Sequence, residues 1–379
     1  MKLATMPPTT PVAVWIGAFL IPYLIAYLVH FPQTRGLRLG LFPLGVFCGG
    51  WLIATINIAD EPLFALPFVE TTLKWNLVAG TRFAFLHRPP FYPPLPAEPF
   101  FARVRHSTPF RAFNLLLDAN RLVSLRPITE PHVPHLRALA LHLGAFLFHK
   151  LVVDTLSYPA HLLGIGPDHP KFGLQTWVGA VWWRCVWGGM MYQGTAMVLE
   201  LIAFVEIASG LYTGEEWPKV FHNPLASSSL IEWWGTRYHA LMRDFFTRMA
   251  RPFAVGPQPL RFIGVFLVSG LYHIIQFYPF TRRLEWWPHM TFWLGCGLGC
   301  ALEWAFYKAT GKRVGGIQGK MWMFAWLCFV SGPLVSFDLH RGACSRDIKI
   351  GREGNGEGSL LVWILYALGL SPAQMREEV

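Results

Sequence analysis

The chain has 379 residues, 53% hydrophobic and only 14% charged, with 17 Trp and 30 Phe and a formal net charge of +10. This composition excludes an ordinary soluble domain and a disordered chain, and apolar runs of about 20 residues recur along the whole length, as a bilayer core requires. The positive charge does not indicate nucleic acid, because the basic residues are dispersed over loops and form no compact stripe; positive-inside topology accounts for them, with a polyanionic cofactor as a second reason.

The expected fold is all-α: a polytopic transmembrane helical bundle of about nine spans, forming a single membrane-embedded domain over 1–379. Candidate spans are 12–29, 38–58, 62–80, 136–156, 177–210, 259–278, 289–308, 320–338 and 359–371. The first is too long for a signal-peptide core and has only Lys2 ahead of it, so it is expected to remain as a transmembrane helix. Glu70 and Lys74 interrupt the third. A crossing is still needed there, because Arg35 and Arg38 mark one cytoplasmic loop and the arginines from Arg82 to Arg126 mark the next, which requires an even number of passes between them. The prolines of His87 to Pro96 preclude a regular helix and place a loop at the membrane surface.

In the next spans, His149 and Asp154 lie five residues apart and point in separate directions on a helix, so they read as a coincidence rather than a site. The run 177–210 suits one tilted helix or two half-helices, and its Arg184 and Glu200 are expected to pair with other helices. The six cysteines mostly sit in apolar runs and imply no disulfide framework.

The most informative block runs from Phe221 to Arg251. Ser229 followed by Glu232 is a capping-box pattern, predicting a helix from about Leu230. At helical spacing, Leu230, Trp233, Trp234, Tyr238, Leu241, Met242, Phe245 and Phe246 cover one arc, while Glu232, Thr236 and Arg243 gather opposite. The block thus reads as an amphipathic helix lying in the membrane interface. Arg237 falls within the Trp-rich arc, where a guanidinium snorkels, stacks on a ring or meets an anion. His239 lies on the border of the two faces, where a histidine can bond to water or a carbonyl.

With Phe221, Asn223, Pro224, Ser229, Leu230 and the run Trp233-Trp234-Gly235-Thr236-Arg237-Tyr238-His239, the chain resembles the wax-synthase-like branch of the membrane-bound O-acyltransferases, especially its fungal members. The resemblance is strongest over about 221–273. It departs from the family motif at positions 233, 236 and 238, where Trp, Thr and Tyr replace Phe, Arg and Trp. The resemblance implies acyl transfer from acyl-CoA to the hydroxyl of a lipophilic alcohol, without a metal. For fungal members of this size, it implies acetyl-CoA, a terpenoid acceptor from secondary metabolism and an endoplasmic reticulum location. Trp234, Arg237, Asn223 and Arg243 are then expected to hold the donor, and His239 to orient the thioester or support the oxyanion.

Ser269, His273 and Gln276 interrupt an otherwise apolar segment at spacings of four and three, so they form one stripe that should face the bundle interior or a wet cavity. A neutral imidazole there can accept an alcohol's proton during attack on a thioester, or it can simply tie helices together. The sequence Val268-Ser269-Gly270-Leu271-Tyr272-His273 resembles the family's catalytic-histidine segment, which implies the catalytic role. Further on, Cys296 and Cys300 share a helix face without a companion His or carboxylate, and the Gly315, Gly316, Gly319, Lys320 cluster lacks P-loop spacing and reads as a membrane-edge turn.

Other readings remain: a wax ester synthase acting on long-chain alcohols, a prenyltransferase or cyclase, and a transporter. The second would use clustered carboxylates for magnesium-diphosphate, and no Asp-x-x-Asp pattern is visible. A transporter would suit the intramembrane polar residues, though no inverted repeat stands out.

Overall fold

Backbone groups inside a bilayer must close their hydrogen bonds within the segment, and helices do so. The computed structural model describes residues 12–56, 62–78, 83–84, 107–121, 133–162, 173–210, 223–238, 240–252 and 256–340, with positions 168, 170, 212–214, 217 and 221. Among those residues the regular secondary structure is all helix, with no strand. The helices are α1 (Val12–Leu28), α2 (Arg35–Thr55), α3 (Pro62–Val78), α4 (Thr108–Arg121), α5 (His135–Leu162), α6 (Trp177–Ala208), α7 (Leu230–Glu232), α8 (Ala240–Ala250), α9 (Gln258–Thr281), α10 (Trp286–Thr310) and α11 (Gly316–His340). Eight of the expected spans coincide with α1, α2, α3, α5, α6, α9, α10 and α11. The ninth, 359–371, lies outside the described residues, as do the proline-rich 87–96 and Cys344.

Among the described residues, five helices are long and apolar enough to cross a membrane: α5, α6, α9, α11, and α2 with the turn Pro32–Thr34 before it; α1 is apolar but shorter. The run from Trp177 forms one helix of 32 residues rather than two halves, about 48 Å long at the standard rise. It pairs with α5 through polar side chains inside the apolar faces. Glu200 meets His142 at 2.6 Å, and Gln193 meets His149. Asp154 pairs with Lys150 on its own helix, so His149 and Asp154 do not converge.

One expectation is corrected at α2. Arg35 and Arg38 do not form a loop; both lie in the helix, and Arg38 is fully buried. Its guanidinium donates to the Phe83 carbonyl oxygen at 2.5 Å, so a backbone acceptor rather than water compensates for the buried charge.

Two cores meet on α9. Val268, Tyr272 and Phe280 join α1–α4 and the α8 residues Met242, Phe245 and Phe246 in one cluster. Phe266 joins Leu230, Trp234 and the inner faces of α10 and α11 in another. α9 and α10 pack closely as an antiparallel pair, aided by Gly270, where a Cβ would press to 3.0 Å from Met290 Sδ. At the end of α9, Arg282 adopts a left-handed cap (φ 54°). Its guanidinium donates to the last carbonyls of α2, at 2.8 Å from Ala54 O and 3.3 Å from Thr55 O, tying the end of α9 to the end of α2.

Candidate active site

The segment between α6 and α8 is shaped by capping. Asn223 takes a left-handed conformation (φ 49°) ahead of a tight turn over Pro224–Ala226. Ser229 caps α7 as its sequence position predicts, its hydroxyl accepting the Glu232 N–H at 3.0 Å. The reciprocal bond is displaced by one residue: Glu232 Oε2 accepts the N–H of Ser228 at 2.8 Å and its hydroxyl at 3.2 Å. The other carboxylate oxygen accepts Arg237 Nε at 2.7 Å. The Ser228 N–H holds the Glu232 carboxyl below the ordinary carboxylate range; burial opposes it, and Arg237 adds to the lowering.

The continuous amphipathic helix expected from Leu230 is not present. α7 gives way after one turn to a wide π-turn, Trp233–Arg237, closed by Tyr238 N–H to Trp233 O at 2.8 Å, and α8 starts separately at Ala240. The wider turn shifts the helical phase. Residues expected on one arc are thereby divided between clusters: Leu230 and Trp234 join the inner faces of α10 and α11, whereas Met242, Phe245 and Phe246 join the cluster of the N-terminal helices, with Phe245 and Phe246 against Tyr272 of α9. Arg237 does not lie free among indoles but is tied to Glu232 and, at 3.4 Å, to the Asn223 carbonyl oxygen.

Two residues outside the motif hold this segment in place, and the sequence reading missed both roles. Glu303 of α10 is buried and accepts the N–H groups of Leu230 at 2.7 Å and Ile231 at 3.0 Å, together with Trp322 Nε1 at 3.0 Å. It satisfies donors that the start of α7 leaves without intrahelical partners. A lone carboxylate in the apolar run 289–308 was the available signal. Gly319, in the first turn of α11, lets that helix dock on the Ser228 carbonyl oxygen, which a Cβ would overlap.

Beneath the segment lies a cavity of about 550 Å³. Its walls are Ile231, Trp234 and Gly235; Arg243, Phe246, Thr247 and Arg251; Gln258, Arg261, Phe262, Val265, Phe266 and Ser269; and Trp293 and Cys300. The three arginines are exposed, whereas Ser269 and Trp293 are buried, so the cavity grades from a cationic mouth to an aromatic interior. From Gln258 to Ser269 the α9 wall descends about 16 Å. Arg243 also donates to the Gly235 carbonyl oxygen at 2.8 Å, tying α8 to the π-turn. Arg261, Arg251 and Trp293 were not singled out as site residues from sequence; they come together through the packing of α8, α9 and α10.

His273 lies one helical turn beyond Ser269. Its ring stacks on Trp293, with centroids 4.4 Å apart and planes 3° apart, so Trp293 forms both the cavity floor and the platform for the imidazole. Nδ1 meets Gln276 Oε1 at 2.7 Å. Ser269 and Gln276 are buried, so the polar stripe faces inward. Of the expected site residues, Trp234 and Arg243 line the cavity, His273 stands behind its floor, and Arg237 and Asn223 meet each other beside it. His239 lies outside the described residues.

Residues 217–294, which hold the capped segment, every cavity wall residue but Cys300, and His273, match the family model described as the membrane bound O-acyl transferase family. The chain is also 25% identical over 177 residues to the acetyltransferase aurG of Calcarisporium arbuscula, covering 40% of this chain and 43% of that protein. The aligned stretch thus spans less than half the length of that relative. No solved structure matches the chain.

Proposed function

We propose that this protein is an O-acyltransferase that moves an acetyl group from acetyl-CoA to the hydroxyl of a lipophilic, terpenoid-type alcohol. The observation that carries the reading is the continuity of the site: a cavity with three arginines at its mouth ends on the indole against which His273 is stacked. Its volume suits a small-molecule or cofactor arm. Guanidinium groups match the phosphates of coenzyme A, and the aromatic interior matches its thioester arm. Similarity to an acetyltransferase supports the acyl choice.

His273 acts as the general base. With Gln276 Oε1 as acceptor, Nδ1 carries the proton and Nε2 carries the lone pair. Nε2 takes the hydroxyl proton as the alcohol oxygen attacks the thioester carbonyl carbon. The C–S bond then breaks, the ester leaves, and the imidazolium returns its proton to the departing thiolate.

Purified protein given labelled acetyl-CoA and a terpenoid alcohol is expected to yield the labelled ester, and uptake without ester would favour a transporter. Arg243→Ala and Arg261→Ala should each raise the KM for acetyl-CoA about tenfold, the loss of one charge-assisted contact. Unchanged donor KM in both variants would remove the arginines from the donor site.

Coenzyme A is supplied from the cytosol, so the mouth of the cavity faces that side of the endoplasmic reticulum membrane, in keeping with Arg243, Arg248 and Arg251 nearby. Thr236→Cys, at an exposed position of the π-turn, should react with an impermeant maleimide added outside sealed microsomes. Labelling only after the membrane is opened would reverse the topology.

A further inference from the structure

We infer that His289 is a second recognition point for the acceptor, holding an additional oxygen of an alcohol whose reacting hydroxyl lies at His273. The inference rests on the acyl-transfer reading above. His289 is 1% exposed, in the first turns of α10, and neither of its ring nitrogens has a hydrogen-bond partner among the described residues. Its neighbours are two phenyl rings, Phe277 at 5.1 Å and Phe337 at 5.6 Å between centroids. An imidazole buried in this way is costly unless something polar meets it.

Its placement indicates what that partner is. His273 and Phe277 are four residues apart on α9, and His289 and Trp293 are four residues apart on α10, so each pair occupies one helix face. The rings meet across the two helices in adjacent rungs, His273 on Trp293 and Phe277 on His289. The two histidines therefore stand diagonally, on opposite helices, one turn apart, which is about 6 Å along the axis. His289 lies on the side away from the cavity mouth, since the α9 residues lining the cavity run from Gln258 to Ser269 and the Phe277 rung lies beyond His273. A donor entering at the arginines ends on Trp293, the indole stacked on His273, which leaves the His289 rung beyond it for the acceptor. An imidazole there can donate to a ketone or ether oxygen, or accept from a second hydroxyl. The acceptor class is thus an apolar skeleton bearing two oxygen functions about one helical turn apart.

The test uses purified full-length protein, acetyl-CoA, and two probe alcohols of equal chain length, 1-decanol and 1,5-decanediol. Wild type is expected to show about tenfold higher kcat/KM per reacting hydroxyl for the diol. In His289→Phe, which fills the apolar site without polar atoms, that ratio should fall to about one, the loss appearing in the KM of the diol. His289→Gln, which keeps a donor and an acceptor, should retain part of the preference. A diol preference that survives in His289→Phe overturns the inference. So does a wild type that uses both alcohols equally, a comparison that needs no variant to fold. No ester from either probe or from a terpenoid alcohol overturns the acyl-transfer reading and this inference with it.

Discussion

His273→Ala is expected to lower ester formation by about 10² to 10⁴, the usual effect of removing a general base, while the protein still inserts and accumulates. Insertion depends on the apolar length of α9, one of the helices able to cross a membrane, and a single imidazole contributes little to it. The local cost is the lost stacking on Trp293 and the bond to Gln276, about 1 to 2 kcal/mol for contacts of these kinds. That cost is small beside the catalytic loss, so activity and abundance separate. His273→Gln, which fills more of the space but offers no comparable base, should be as inactive as the alanine variant. Near-normal product from well-accumulated His273→Ala would remove the residue from the chemistry and leave it as a helix tie.

What the sequence made legible divides along physical lines. Apolar runs report helices well, because in lipid a chain has no other way to satisfy its backbone, and eight expected spans appear as helices. The inward polar stripe on α9 was legible for the same reason: polar side chains at helical spacing have one favourable direction. Capping was legible at Ser229 because it is local, although the Glu232 contact moved to Ser228. The π-turn was not legible, since the apolar period of Leu230 to Phe246 fits an uninterrupted helix, whereas Leu230 and Trp234 join one cluster and Met242, Phe245 and Phe246 another. Arg38 was misread because positive-inside counting assumes that arginines sit in water, and it cannot anticipate a buried carbonyl such as that of Phe83. The cavity is long-range by nature. Arg261 and Trp293 border it only after α8, α9 and α10 have packed, a relation that no local pattern encodes.

Glu303→Leu is expected to loosen the whole site although Glu303 does not line the cavity. Replacing a buried carboxylate by an apolar group of similar size is often neutral when its partners are removed as well. Here the partners remain: the N–H groups of Leu230 and Ile231 belong to the backbone, and Trp322 Nε1 belongs to α11. Leaving a buried donor unmet costs about 1 to 3 kcal/mol. Ile231 is exposed enough for water to substitute, whereas Leu230 is fully buried, so a net loss of about 2 to 4 kcal/mol is the reasonable range. The start of α7 should pull away from α10, and because Ile231, Trp234 and Gly235 follow directly and wall the cavity, donor affinity should weaken along with stability. Glu303→Gln, which keeps one acceptor oxygen but turns an amide N–H₂ toward a donor, should fall between the leucine variant and the wild type. The measurements are the thermal midpoint in detergent and the KM for acetyl-CoA. A Glu303→Leu protein with wild-type values of both would show that Ser229 and Gly319 hold the segment without help from α10.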